Sequence, residues 1–276
     1  MTWTLSGFGD EIDADPVVQL SVLRALGAGF IEVRSAWGTN VVELTDDQLA
    51  SLGRLISERG MGVSAIASPL GKVDYQSSFD AELHRLSRAV TAAHTLGARY
   101  IRIFSFYRPE GVTPAAIRDE VLRRLSAMAA VAARNDIVLL HENEKEIYGD
   151  IPSRVLDLIE SVGSDALRVA WDNANFVQVG VKPYTDGYAM LRPHLEYLQV
   201  KDAISATGGV VPAGEGDGEL RETLTALRDD GYAGYASLEP HLAEQSSTGG
   251  FSGPAEFGRA ARAFAALTQQ IGVSLV

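Results

Sequence analysis

Four segments of the chain close an apolar, β-branched run on side chains that carry oxygen. They are His141-Glu142-Asn143-Glu144, Trp171-Asp172-Asn173, Gln199-Val200-Lys201-Asp202 and Glu239-Pro240-His241. If each run is a strand, successive side chains point to opposite faces. With Val138 and Leu140 facing inward, Glu142 faces inward above them; the same parity groups Ala170 with Asp172, Tyr197 with Gln199, and Tyr235 and Ser237 with Glu239. Three carboxylates converging on one spot repel each other unless a cation lies between them. A divalent metal is the simplest such cation. The competing reading makes these acids N-caps or solvated rim charges. Among their neighbours, Lys201 shares the face of Gln199 and is placed to contact a substrate hydroxyl or phosphate, or to balance acid charge. His241 shares the face of Glu239 and is a candidate hydrogen-bonding group for substrate, whereas His141 leans the other way, toward packing.

Strands that deliver side chains to one rim need a regular scaffold. Apolar, β-branched runs recur at 3–8, 30–35, 63–68, 100–106, 137–142, 167–172, 197–201 and 235–239, with helical stretches between them. Asp15-Pro16 and Thr113-Pro114 read as an N-cap followed by proline at the first helical position. Thr45-Asp46-Asp47-Gln48 reads as a capping box, and Gly27, Gly60, Gly97 and Gly231 stand where helices should stop. Strict alternation of strand and helix implies parallel strands with right-handed crossovers, and eight such units close into a (β/α)8 TIM barrel. The expectation is an α/β fold with one domain over residues 1–276. A doubly wound nucleotide-binding sheet fits less well, because Gly7-Phe8-Gly9-Asp10-Glu11-Ile12 lacks the third glycine of the phosphate turn. The segment 205–218, with its glycines and Pro212, reads as a loop of the seventh unit and 246–253 as a loop of the eighth, both at the barrel mouth. Glu215 lies in the first of these and is a candidate to close over the mouth. Glu32 and Arg34 share a face of the second strand and read as an ion pair, while Trp37 and Phe104 are candidates for stacking on a ring.

Composition narrows the function. In 276 residues, 24 Lys+Arg stand against 36 Asp+Glu, a formal net charge of −12 that argues against a nucleic-acid partner. No apolar run is long enough to span a bilayer. The start lacks the basic and apolar regions of a signal peptide, and the chain has no Cys, so the expectation is a cytoplasmic protein without disulfide or thiolate chemistry. Five His limit any imidazole-based metal site.

The ordered set of Glu142 in HENE, Asp172 in WDNANF, the QVKDA stretch, VPAGEGDGEL and Glu239 in SLEPHL, with the opening GFGDEI and LGAGFIEVR, resembles the xylose isomerase-like TIM barrels. These are the sugar phosphate isomerase/epimerase proteins grouped with the second endonuclease IV family. The resemblance implies one divalent metal bound by a Glu, an Asp, a His and a Glu of strands five to eight, which here are Glu142, Asp172, position 199 and Glu239. Relatives have His-x-Lys-Asp where this chain has Gln199-Val200-Lys201-Asp202. Either the Gln199 amide oxygen replaces imidazole, giving an all-oxygen set that favours Mn²⁺ or Mg²⁺ over Zn²⁺, or the change abolishes the site and leaves a sugar-binding barrel. The resemblance further implies a sugar isomerase or epimerase that moves a proton beside a carbonyl through an enediolate, with Glu142 and Glu239 as ligands and acid/base pair. A metal-dependent lyase or dehydratase on a sugar-derived substrate is the alternative. The expected partner is a small sugar or sugar-derived molecule, with no nucleic acid and no membrane, and the barrel suits a monomer or a homodimer.

Overall fold

In the computed structural model, which describes residues 1–243 and 249–276, eight parallel strands form a closed ring. They are β1 (Thr2–Gly7), β2 (Phe30–Val33), β3 (Gly62–Ala67), β4 (Tyr100–Ile103), β5 (Val138–Glu142), β6 (Leu167–Asp172), β7 (Leu195–Val200) and β8 (Tyr235–Leu238). Each pairs with the next in parallel register, β8 returns to β1 through Thr4↔Tyr235 to Gly7↔Leu238, and a bridge between Phe8 and Glu32 closes the ring on β2. The structure is therefore the expected TIM barrel. One addition was not legible as a strand: Ser274–Leu275 runs parallel to the start of β1. The expected loop at 246–253 lies partly outside the described residues.

The α-helices of six residues or more between and after the strands are α1 (Pro16–Ala25), α2 (Asp46–Glu58), α3 (Phe79–Leu96), α4 (Pro114–Arg134), α5 (Pro152–Val162), α6 (Asn173–Gln178), α7 (Leu220–Asp229) and α8 (Gly253–Gln270), with short helical turns over 183–194 besides. Their ends follow local chemistry. Asp15 accepts from Val17 N, and Thr45 and Gln48 form both halves of the capping box. Gly97 ends α3 at φ +71, a left-handed conformation that costs glycine little. At α4 only the proline works as expected, since the Thr113 side chain makes no capping hydrogen bond. Strand β4 stops at Ile103, short of the expected 106. Phe104 N and Phe106 N donate to Leu70 O and Gly71 O, which draws the chain off the barrel toward the loop after β3. Among the described residues no helix is long and apolar enough to cross a membrane.

Inside the ring, Ala65, Val138, Leu140, Ala170 and Tyr197 pack with Tyr100 and Tyr235 as an apolar plug. A polar layer lies on it: the Tyr197 hydroxyl donates to Glu32 Oε2 at 2.8 Å and meets Ser64 Oγ, which in turn meets Ser6 Oγ at 2.6 Å. The expected Glu32–Arg34 ion pair does not form. Both side chains face inward, but residues two apart on a strand sit about 6.6 Å apart along the strand. Glu32 therefore serves the Tyr197 layer below, and Arg34 reaches Asp10 and Glu239 above.

Burial pushes the Glu32 carboxyl up to about 7, against the opposing pull of Arg102. A carboxyl raised on folding binds its proton more tightly in the folded state. Its contribution to stability is thus complete below the ordinary value near 4.5 and is lost as pH rises through about 7. We expect urea unfolding from pH 5 to pH 8 to show wild type losing on the order of 3 kcal/mol relative to Glu32→Gln. Parallel curves for the two proteins would refute this account of the layer.

Candidate functional site

At the C-terminal ends of the strands, one carboxylate oxygen each from Glu142, Asp172 and Glu239 lies within 4.8 Å of the others. All three residues are buried. The expected inward parity therefore brings them together, and the structure shows what holds them in place. Glu142 Oε2 accepts from Arg102 at 2.8 Å and Oε1 from Asn175 Nδ2 at 3.0 Å. Asp172 Oδ1 caps α6 by accepting from Asn175 N, so the N-cap reading and the cluster reading are both correct for this residue. Its Oδ2 lies 2.9 Å from Lys201 Nζ, outside hydrogen-bond geometry. Lys201 Nζ also donates to Glu239 Oε2 at 3.0 Å. The other oxygen of Glu239, Oε1, faces Arg34 at 3.4 Å and His241 Nε2 at 3.3 Å.

These contacts set the charges. Burial pushes Asp172 up, and the neighbouring carboxylates Glu142 and Glu239 add to this against the pull of Lys201. Burial acts the same way on Glu239, but Lys201 and His241 outweigh it and hold this carboxyl well below its ordinary range. Burial opposes the Lys201 charge, yet Asp172, Glu239 and Glu142 together hold it well above the usual lysine value. Glu239 is thus ionised and Lys201 protonated.

A cavity of about 460 Å³ opens above the cluster. Glu142 and Glu239 line it, together with Arg34, Arg102, Lys201 and His241; Asp172 and Gln199 do not. Gln199 is fully buried, pairs in register with Asp172 and Ser237, and both its amide atoms lack a hydrogen-bond partner. That orphaned amide, and an Asp172 Oδ2 that has an ion-pair contact but no hydrogen bond, are what a metal ligand set would leave. With three carboxylate oxygens at this spacing, the residues present fit a hard divalent cation. Lys201 stands where such a cation would balance the acids.

Other expected residues lie elsewhere. Glu215 does not face the mouth: its carboxylate takes Arg259 of α8 at 3.0 Å on the exposed surface. His141 is buried, meets Ser105 Oγ at 3.0 Å, and is pushed down to about 3 by burial, so its ring is neutral. Trp37 is 40% exposed and does not line the cavity. Phe104 is buried as a platform for cations, with Lys72 Nζ 4.3 Å and the Arg102 guanidinium 4.6 Å from its ring centre.

Several site residues had not been singled out. Arg102 sits in the strand read at 100–106 as an inward-facing charge, and that misplaced charge was the available signal. Glu11 is fully buried; its Oε2 accepts from His241 N and Ser252 Oγ, and its Oε1 lies 3.2 Å from His241 Nε2. It holds His241 at φ +47, a strained conformation for a non-glycine residue. Asp202 organises the glycine-rich loop, its carboxylate accepting from the backbone N–H groups of Ala203, Gly214, Gly216 and Gly218. A Cβ at Gly216 or Gly218 would stand 2.4 or 2.6 Å from Asp202 Oδ1. The alternation of glycines after Lys201-Asp202 was the sign of this cradle.

Comparison with known proteins adds a frame. The family model for the xylose isomerase-like TIM barrel matches residues 20–267. A curated protein of Actinoplanes sp. (strain SE50/110), 2-epi-5-epi-valiolone 7-phosphate 2-epimerase, is 29% identical over 183 residues, 66% of this chain and 60% of the epimerase. The match thus spans less than two thirds of that relative. Among solved structures, a D-tagatose 3-epimerase-like protein superposes with a TM-score of 0.79 at 15% identity over 98% of both chains. A xylose isomerase-like TIM barrel protein from Mycobacterium smegmatis, in complex with magnesium, gives 0.70 at 19% identity over 98% of this chain and 96% of the other. At these identities the two structures speak for the fold alone.

Replacing Asp202 with Ala leaves four backbone donors without their acceptor. We expect a loss of about 3 kcal/mol in urea unfolding, with faster proteolysis within 204–217 under native conditions. Unchanged stability and cleavage would mean that water replaces the carboxylate at little cost.

Proposed function

Because the chain belongs to the xylose isomerase-like TIM barrel family, we propose that it is a metal-dependent isomerase or epimerase of a sugar or sugar-derived polyhydroxy ketone, moving a proton on the carbon beside the carbonyl. One observation carries this reading. Of the carboxylates that meet at the strand ends, Glu142 and Glu239 reach the cavity, while Asp172 stays behind them. Two acids facing one bound substrate are what proton removal and return require. The epimerase from Actinoplanes is consistent with this class of chemistry.

Glu239, an ionised carboxylate that lines the cavity, is the base that takes the proton. Glu142 is kept by Arg102 and Asn175 at a fixed position beside it, and, once it has taken up a proton from solvent, it returns that proton to the other face of the carbon or to its neighbour while Glu239 gives its own to solvent. Return to the other face inverts the centre; return to the neighbouring carbon interconverts aldose and ketose. Arg102 and Lys201 place positive charge beside the oxygens on which the enediolate develops its negative charge. Lys201 and His241 also offer donors to substrate hydroxyls. A divalent ion held by Glu142, Asp172, Glu239 and the Gln199 amide oxygen, with Mn²⁺ or Mg²⁺ suited to the all-oxygen set, would supply Lewis-acid polarisation of the carbonyl.

Incubation with polyhydroxy ketones and their phosphates in D₂O, with Mn²⁺ present, tests the reading by NMR. The expected result is deuterium at the carbon beside the carbonyl without change of elemental composition, reduced about 10³-fold by Glu239→Gln and by Glu142→Gln. Loss of water from the product would instead identify a dehydratase. Substrate binding without exchange would leave a sugar-binding barrel.

A further inference from the structure

Asp172 has one oxygen to offer. Its Oδ1 is committed to the N-terminus of α6, and Oδ2 is the atom 2.9 Å from Lys201 Nζ. Glu239 is divided in the same way: Oε1 faces Arg34 and His241, and Oε2 takes Lys201 at 3.0 Å. The ammonium therefore holds the two oxygens that a metal bound by Asp172 and Glu239 would find most accessible. A divalent ion bonded to both and an ammonium about 3 Å from both would put three positive charges within contact distance, in a place from which water is largely excluded. One must leave.

Lys201 is the one able to leave. Its side chain is long and flexible, its contact with Asp172 lacks hydrogen-bond direction, and it already lines the cavity. Glu144 also lines the cavity and acts on the Lys201 charge. We propose that Lys201 is an exchangeable internal cation: it holds Asp172 and Glu239 together in the metal-free protein, and metal loading displaces its ammonium into the cavity as a donor to substrate oxygens. The inference rests on the metal reading above. It explains how a buried cluster of acids folds before metal arrives, and why the lysine that balances it stands at the cavity wall rather than behind it.

The test compares Mn²⁺ binding, by calorimetry after chelator treatment, in wild type, Lys201→Met and Lys201→Gln, with folding checked by circular dichroism. Removing the competing ammonium should tighten Mn²⁺ binding by about tenfold or more. Equal or weaker binding by folded variants, with wild type binding Mn²⁺, overturns the proposal and leaves the metal reading standing. No Mn²⁺ binding by any of the three overturns both. Should the variants not fold, wild type alone decides. Acetylation of Lys201 by acetic anhydride, read by mass spectrometry, should rise several-fold on adding Mn²⁺ to saturation; unchanged labelling at saturating Mn²⁺ overturns the proposal.

Discussion

The structure turns on the balance of charge buried at the barrel mouth. Glu142, Asp172, Glu239, Glu11 and Asp10 are all buried there, and Lys201, Arg102 and Arg34 are buried among them. An uncompensated charge in such a place costs several kcal/mol, so each acid needs a partner fixed in position. The partners come from neighbouring strands of the ring. Arg34 leaves the end of β2, Arg102 rises from β4 and Lys201 follows β7, and each pairs with acids at the ends of nearby strands rather than along its own: Arg102 with β5, Lys201 with β6 and β8, Arg34 with the end of β1 and with β8. Phe8 and Phe104 place their rings 5.5 and 4.6 Å from the Arg102 guanidinium, which restricts the directions in which it can donate.

The same economy shapes the loops. Asn143 exchanges hydrogen bonds with the backbone of Asp172 and locks the tips of β5 and β6 together. Asn173 takes the Trp171 indole N–H and donates to Gly218 O and Thr223 Oγ1, which ties the end of β6 to the glycine-rich loop. Asp202 gathers that loop from the other side. Glu11 joins the two ends of the eighth loop through His241 N and Ser252. Among the described residues, polar side chains just past the strand ends thus fasten these loops beside the carboxylates.

Much of this was legible in the residues. The repeat of apolar runs and helical stretches is enough to identify the barrel, because parallel strands joined by helices have few ways to bury both faces of a sheet. Parity along β5, β6 and β8 is enough to bring Glu142, Asp172 and Glu239 to one rim, since backbone geometry alone sets which face a side chain takes. The family's sequence order led to position 199 as well. Local signals fared well where the partner is a near neighbour, as in the capping box of α2, and less well at Thr113, where proline alone supplies the preference.

What parity leaves open is reach. It places Glu32 and Arg34 on one face without saying that one turns down to Tyr197 and the other up to Glu239. It places Lys201 near Gln199 without saying that its ammonium spans two acids from strands on either side of its own. It leaves Glu215 free to be drawn outward by Arg259 on a helix far along the chain. The order of strands, the inward face of each and the identity of the carboxylates follow from the sequence by itself, because they depend on backbone periodicity. Which cation meets which carboxylate was decided only by the tertiary structure, because long side chains choose partners by distance between strand ends, and those distances exist only once the strands have paired and the ring has closed.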